Sequence, residues 1–66
     1  MIVLTRLNGQ QFVLNADLIR TIEQTPDTTI SLTTGERLVV LEPLPQVVDL
    51  AIEYARVIRQ PVFASN

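Results

Sequence analysis

The fold is decided by residues 2–14, IVLTRLNGQQFVL, in which two short apolar runs flank an Asn8-Gly9 step. Asn-Gly is a strong short-range signal for a β-hairpin, because both residues can adopt positive φ at little cost. The pattern predicts a first strand over residues 2–7 and a second strand over residues 10–14, joined by this turn.

A short helical turn and a third strand are predicted after the hairpin. Asn15 offers a capping side chain to a turn over residues 16–18, and residues 19–25 then resume extended structure. A single helix over residues 16–24 is the alternative. The strand is favoured because the segment contains a β-branched Thr-Ile pair and a proline follows it.

Two further strands complete the predicted sheet. Residues 28–33 alternate hydroxyl and apolar side chains, so one face of this strand should pack inward and the other should meet water. A Thr34-Gly35 step then turns the chain into a strand over residues 36–42. The continuous Leu-Val-Val-Leu run in that strand predicts that it is covered on both faces.

A helix is predicted from about residue 45 to residue 60, because Pro45 suits a first helical turn and Pro61 stops the helix. The predicted fold class is therefore α+β: a small antiparallel β-sheet of about five short strands, arranged as hairpins or a meander, followed by one C-terminal α-helix. Residues 1–60 are expected to form a single domain. Residues 61–66 would be a C-terminal tail that is either loose or docked through Phe63.

The predicted helix is too apolar for one core. Its polar residues form one narrow stripe, and the apolar remainder is wider than the ~100° arc that packing on a sheet requires. Since a 66-residue chain without cysteine buries little core, we expect a second copy to cover the surplus. The candidate oligomer interface comprises Val48, Ile52, Tyr54, Ala55 and Val57. A sheet that curls around the helix, or a different protein covering it, are the alternatives.

The composition argues against catalysis and against nucleic-acid binding. The chain has no His, Cys or Lys, and it therefore lacks an imidazole base, a thiolate and a side-chain amine. Asp17 and Glu23 would form a carboxylate pair if the chain between them turned back, although solvated surface acids are the simpler interpretation. No cofactor or metal is expected. A net charge of −2 with five arginines disfavours a groove that follows phosphates.

The candidate partner surface combines turn residues with Arg6 of the first predicted strand. Recognition residues concentrate on loops held by a rigid sheet, and an arginine on a strand can bridge acidic groups of a partner. This surface comprises Arg6, Asn8, Asn15, Asp17 and Asp27. Turn chemistry alone also explains most of these residues; the Asp27 side chain, for example, should accept a backbone N–H two residues on. Glu36 and Glu42 flank the last strand and are interpreted as charges that discourage indiscriminate strand pairing.

Three motifs resemble the FlbD family of small bacterial flagellar proteins. They are LTRLNG at residues 4–9, NADLI at residues 15–19 and IEQTPDT at residues 22–28, within a similarity that covers about residues 1–47. The segment EPLPQV at residues 42–47 departs from that family, in which a polar, acid-containing segment usually precedes the helix. The departure concerns the start of the helix and any contacts made there.

The resemblance implies a cytoplasmic accessory factor of flagellar motility at the flagellar base, and it brings no catalytic residues. Relatives that include the swarming-motility protein SwrD are associated with torque from the stator, so flagellar motor or stator proteins are the implied partners. The chain has no stretch of ~20 apolar residues and no signal-peptide pattern, so membrane association is expected only through partners. Two other classes stay open: a small nucleic-acid-binding regulatory module and an assembly chaperone for a flagellar subunit.

Overall fold

The computed structural model describes residues 1–59, with side chains described as far as Val57. In chain order the elements are β1 (Ile2–Thr5), β2 (Gln11–Leu14), a 3-10 turn (Ala16–Leu18), β3 (Ile19–Gln24), β4 (Thr28–Leu32), β5 (Arg37–Val40) and α1 (Leu44–Arg59). The predicted α+β class is confirmed, and the alternative of one helix over residues 16–24 is wrong. The predicted tail and the predicted helical residue 60 lie outside the described residues.

The strands form two antiparallel sheets. β1 pairs with β2, and β3, β4 and β5 form a three-stranded sheet in that order. The sheets meet at one end, where Arg6 forms an isolated bridge with Val40 and the Leu41 N–H donates to the Thr5 C=O at 2.8 Å. The edges of β1 and β5 are thus joined, and β2 and β3 lie at the two outer edges of the fold.

The first hairpin closes with a three-residue loop. The Arg6 N–H donates to the Gln10 C=O and the Gly9 N–H donates to the Arg6 C=O, both at 2.8 Å. Gly9 has a φ of +91°, which is the left-handed last position that such loops require. The predicted turn at Asn8-Gly9 is present, but it is a three-residue loop over residues 7–9 and not the predicted two-residue turn, and only its last position has positive φ. The Asn8 side chain accepts the Gln10 N–H at 2.9 Å.

The turn between β4 and β5 repeats this arrangement. The Leu32 N–H donates to the Glu36 C=O at 2.8 Å, and the Gly35 N–H donates to the Leu32 C=O at 2.9 Å. Gly35 has a φ of +97°. The predicted Thr34-Gly35 turn is confirmed, and the glycine is the residue whose backbone angle closes it.

The hydrophobic core lies where the two sheets and the helix meet. Strand β4 supplies Ile30 and Leu32 to it, and the alternation predicted for this strand is confirmed, since Thr29 and Ser31 are only half-buried. Among the described residues, the buried apolar side chains are Ile2, Leu4, Leu14, Ile30, Leu32, Val40 and Val47.

Strand β5 is covered on one face only, which contradicts the prediction. Val40 is buried, but Val39 is 37 % exposed and Leu41, just beyond the strand, is 55 % exposed. Alternate residues of a strand face opposite sides of the sheet, and the core of this chain covers only one of those sides.

Helix α1 begins at Leu44, one residue earlier than predicted. The Pro43 C=O accepts the N–H groups of Gln46 and Val47 at 3.0 and 3.1 Å, as expected of a residue that flanks a helix start. The Gln24 Oε1 atom, at the end of β3, accepts the Leu44 N–H at 2.9 Å. A side chain of the sheet therefore satisfies the first free N–H of the helix.

Candidate functional site

An open cleft of about 470 Å³ lies between the start of β1 and one side of α1. Three of its apolar side chains are more than half exposed: Met1 (66 %), Val3 (51 %) and Val57 (60 %). The lining consists of Met1, Ile2, Val3, Leu50, Glu53, Tyr54 and Val57. Because the lining is mainly apolar and open, the cleft can receive an apolar side chain from another protein.

The predicted oligomer interface divides between two sides of α1. Ile52 and Val57 are 53 % and 60 % exposed. They are five residues apart, which is about 140° around the helix axis. Val48 and Ala55, four residues before and three after Ile52, share its side of the helix and are half-buried. Tyr54 lines the cleft together with Val57. The interface stays a prediction, now for two separate surfaces.

Tyr54 takes part in the internal packing of the monomer. Its ring packs against the core, and its hydroxyl lies 3.3 Å from both Asn15 Oδ1 and Asp17 Oδ2. Desolvation, the negative charge of Asp17 and the hydrogen bond to that carboxylate raise the pKa of Tyr54 above its ordinary value. The fold therefore brings one residue of the predicted oligomer interface against two residues of the predicted partner surface.

Asn15 also has the capping role predicted from the sequence. Its Oδ1 atom accepts the Asp17 N–H at 3.0 Å at the start of the 3-10 turn. The same oxygen therefore serves the local turn and lies within reach of the tyrosine hydroxyl of α1. Asn15 consequently joins the β2–β3 connection to the helix.

Arg6 and Asn8 lie at the first hairpin turn. The Arg6 guanidinium carbon is 4.3 Å from the centroid of the Phe12 ring, within the range of a cation–π interaction. Both polar residues are exposed. They are accessible to a partner at the opposite end of β2 from Asn15 and Asp17.

Asp27 lies on a third turn, between β3 and β4, where the Thr25-Pro26 peptide bond is cis. Its backbone C=O accepts the Thr25 N–H and the Thr29 hydroxyl, each at 3.2 Å. Asp27 thus supports the turn through its backbone C=O, and the predicted role of its carboxylate is wrong. The five predicted partner residues lie on three different turns.

The carboxylate pair considered for catalysis or metal binding is not formed. β3 is extended between Asp17 and Glu23, so the chain does not turn back between them. The Glu23 carboxylate instead lies 4.0 Å from the Arg37 guanidinium, with both side chains exposed. Within residues 1–59, no group of three or more acidic side chains is placed to hold a metal ion.

Glu42 joins the end of β1 to the segment after β5. The Thr5 N–H donates to Oε1 at 2.9 Å, and the Thr5 hydroxyl donates to Oε2 at 2.7 Å. Desolvation raises the pKa of Glu42, but these hydrogen bonds outweigh it and hold the pKa below its ordinary value of 4.5. The sequence predicted only an edge charge here, because the two residues are 37 positions apart.

A family model described as flagellar and swarming motility proteins matches residues 1–59. The chain belongs to the FlbD family. The match continues past residue 47, where the resemblance noted above ended, and includes the whole of α1. FlbD membership makes this a protein related to flagellar and swarming motility. No curated protein and no solved structure matches the chain.

The described part of the FlbD chain has no helix that is both long enough and apolar enough to cross a bilayer.

Proposed function

We propose that this protein is a non-enzymatic accessory factor of flagellar motility, acting as a small oligomeric adaptor on the cytoplasmic side of the flagellar motor or stator. Membership of the FlbD family supports the motility role. The observation that carries the adaptor role is the apolar cleft between β1 and α1, whose exposed lining offers a protein partner a place to bury its own apolar side chain.

The energetic argument rests on the exposed side chains of the cleft. Met1, Val3 and Val57 each leave more than half of their surface in water. Full burial of a large apolar side chain contributes roughly 1.5–3 kcal/mol relative to full exposure. A docked partner that covers the rest of these three side chains therefore gains a few kcal/mol, enough for a reversible adaptor contact.

Two of the seven acidic side chains are hydrogen-bonded within the fold, which supports a non-enzymatic role. Asp17 lies beside the Tyr54 hydroxyl, and Glu42 accepts two hydrogen bonds from Thr5. The chain supplies no His, Cys or Lys as an alternative base or nucleophile.

The proposal is tested by swimming speed under viscous load in a strain lacking the gene, complemented with the wild type or with variants. Val57→Glu places a charge in the cleft at an exposed position, and we expect it to reduce the speed towards that of the deletion strain. Gln46→Glu is the matched control. It adds the same charge to the same helix, about 16 Å away along the axis and outside the cleft, and should preserve the speed.

Three outcomes contradict parts of the proposal separately. Normal speed in the deletion strain under viscous load excludes the motility role. Normal speed with Val57→Glu excludes the cleft as the docking site. Loss of speed with Ile52→Glu but not with Val57→Glu would show that the partner docks on the Ile52 side of α1. Circular dichroism of each purified variant confirms that the fold is retained. A one-to-one complex with a secreted flagellar subunit would point to the chaperone alternative instead.

A further inference from the structure

The two outer edges of the fold are protected to different degrees. β3 carries the charged residues Arg20 and Glu23, and its register with β4 shifts between Ile19 and Thr21. Charges and bulges are the features by which edge strands avoid pairing with other chains. β2 has neither: its sequence is QFVL, and its register with β1 is regular along its length. β2 is therefore the unprotected edge.

The free backbone groups of β2 belong to Gln11 and Val13. Gln10 is hydrogen-bonded to Arg6 across the hairpin, and hydrogen-bonded residues alternate along an antiparallel ladder. The N–H and C=O groups of Gln11 and Val13 therefore point away from β1. Within residues 1–59, no strand pairs with this side of β2. The backbone N–H and C=O groups of these two residues are thus available to pair with another strand.

We propose that β2 pairs with β2 of a second copy of the chain, antiparallel about a two-fold axis. The product is a continuous four-stranded sheet in the order β1, β2, β2, β1. If Gln11 of each copy faces Val13 of the other, about four backbone hydrogen bonds form across the axis. This pairing is a β-augmentation in which the added strand is supplied by an identical chain.

The outer face of the β1–β2 sheet fits this arrangement. Val3 and Val13 are directly opposite each other on neighbouring strands, and they are 51 % and 63 % exposed. In the dimer, Val13 of each copy would face Gln11 of the other copy and lie diagonally across from the second Val13, so that both valine pairs are on one face of the four-stranded sheet. Cross-strand contacts between β-branched side chains then add to the backbone hydrogen bonds.

Charge favours a second copy over an unrelated strand as the occupant of this edge. Arg6 lies at the hairpin end of β2, and Asp17 follows its other end; both are exposed. Antiparallel pairing brings the Arg6 end of each copy beside the Asp17 end of the other, so opposite charges approach each other twice. Parallel pairing would place like charges together. The edge is therefore self-complementary in one orientation.

The inference does not depend on the motor role. The β2 edge leaves both sides of α1 uncovered, so the cleft stays open to a partner in the dimer. The dimer also buries additional surface, which stabilises a 66-residue chain whose own core is small. The proposed dimer therefore has its interface at the sheet edge and not on the helix, where the sequence led us to expect it.

The first test is the molar mass by light scattering across a concentration series. We expect the wild type to reach twice the chain mass of 7.4 kDa. Val13→Lys should reduce the mass to that of one chain, because a lysine on an edge strand opposes pairing. Val3→Lys is the matched control: it adds the same charge to the same face, but on an inner strand, and should retain the dimer. Circular dichroism establishes that all three proteins are folded.

Single cysteines give a second readout that does not require the dimer to be broken. The chain has no native cysteine, so Val13→Cys and Val3→Cys each introduce one thiol. Across the two-fold axis the two copies of position 13 are diagonal neighbours about 7–8 Å apart, whereas the two copies of position 3 are separated by at least three strand spacings, about 14 Å. A diagonal pair is too far apart for a direct disulfide, so a short thiol–thiol cross-linking reagent is used. We expect covalent dimers of the first variant and little cross-linking of the second.

Several results would overturn the inference. A wild type that stays monomeric throughout the series excludes self-pairing. Equal loss of mass for Val13→Lys and Val3→Lys places the contact on the sheet face and not on the edge, as do equal cross-linking rates for the two cysteine variants. A monomeric Ile52→Glu together with a dimeric Val13→Lys returns the interface to the helix.

Discussion

The contact between Glu42 and Thr5 predicts a measurable dependence of stability on two residues that the sequence does not connect. The carboxylate accepts hydrogen bonds of 2.9 and 2.7 Å from the Thr5 N–H and hydroxyl. Together they fasten the end of β1 to the segment that leads into α1. Glu42→Ala removes both bonds, Thr5→Val removes the hydroxyl bond alone, and Glu42→Gln keeps an acceptor for the N–H.

The magnitude follows from the charge of the acceptor. Hydrogen bonds to charged groups contribute about 1.5–3 kcal/mol each when buried. Glu42 is only half-buried, so a smaller contribution is expected. We expect Glu42→Ala to reduce the free energy of unfolding by about 2 kcal/mol and Thr5→Val by about 1 kcal/mol. In a chain of this size, 1 kcal/mol corresponds to roughly 4–8 °C in Tm.

The assay is urea denaturation of the wild type, the two single variants and the double variant. Since both substitutions remove the hydroxyl bond, the double variant should be less destabilised than the sum of the singles, with a coupling energy of about 1 kcal/mol. Glu42→Gln should be less harmful than Glu42→Ala. Additive single effects, or equal effects of the two Glu42 substitutions, would refute the proposed contact.

The dependence on pH gives an independent check. The pKa of Glu42 is lower in the folded protein than its ordinary value of 4.5. The stabilisation from the charged carboxylate is therefore complete above about pH 4.5 and is lost as the pH falls through the folded value. The stability difference between the wild type and Glu42→Gln should shrink over that acidic range. A difference that stays constant from pH 7 to pH 3 would contradict the assignment.

Three further predictions concern the turns, the core and the tyrosine. Gly35→Ala should reduce the free energy of unfolding by about 1–2 kcal/mol because its φ is +97°, and Gly35→Asn should cost less; urea denaturation compares the two. Ile30→Ala empties a site with 0 % exposure and should cost about 2–5 kcal/mol, enough to unfold much of the chain, as circular dichroism would show. The sole tyrosine, Tyr54, should ionise above pH 10.0 in an ultraviolet absorbance titration, and Asp17→Asn should bring its pKa closer to that value.

Local turn and cap chemistry could be predicted from the sequence. The turn at Gly9, the cap by Asn15 and the turn at Gly35 all appear where the residue types indicate them. Each depends on backbone angles and hydrogen bonds among residues only a few positions apart. The error in the length of the first turn is equally local: the loop has three residues, and only the last of them needs a positive φ.

The candidate surfaces were predicted less completely. The surplus of apolar residues on α1 was evident from the sequence, but its division between the Ile52 side and the Val57 side was not. That division depends on where the helix axis lies relative to β1 and β3. The cleft could not be predicted for the same reason, since it forms between residues 1–3 and a helix more than forty residues later.

The α+β class, the order of the elements, the absence of imidazole, thiolate and side-chain amine groups, and the relationship to flagellar and swarming motility proteins can all be inferred along the chain. Three features become visible only in the folded chain: the strands divide into two sheets joined by the Arg6–Val40 bridge, Glu42 holds Thr5, and β2 is left as an unprotected edge. The difference lies in the sequence distance over which each interaction acts. Turns, caps and periodicity act over a few residues and can be recognised along the chain. Bridges, clefts and free edges arise between distant segments, whose placement depends on the packing of the whole core.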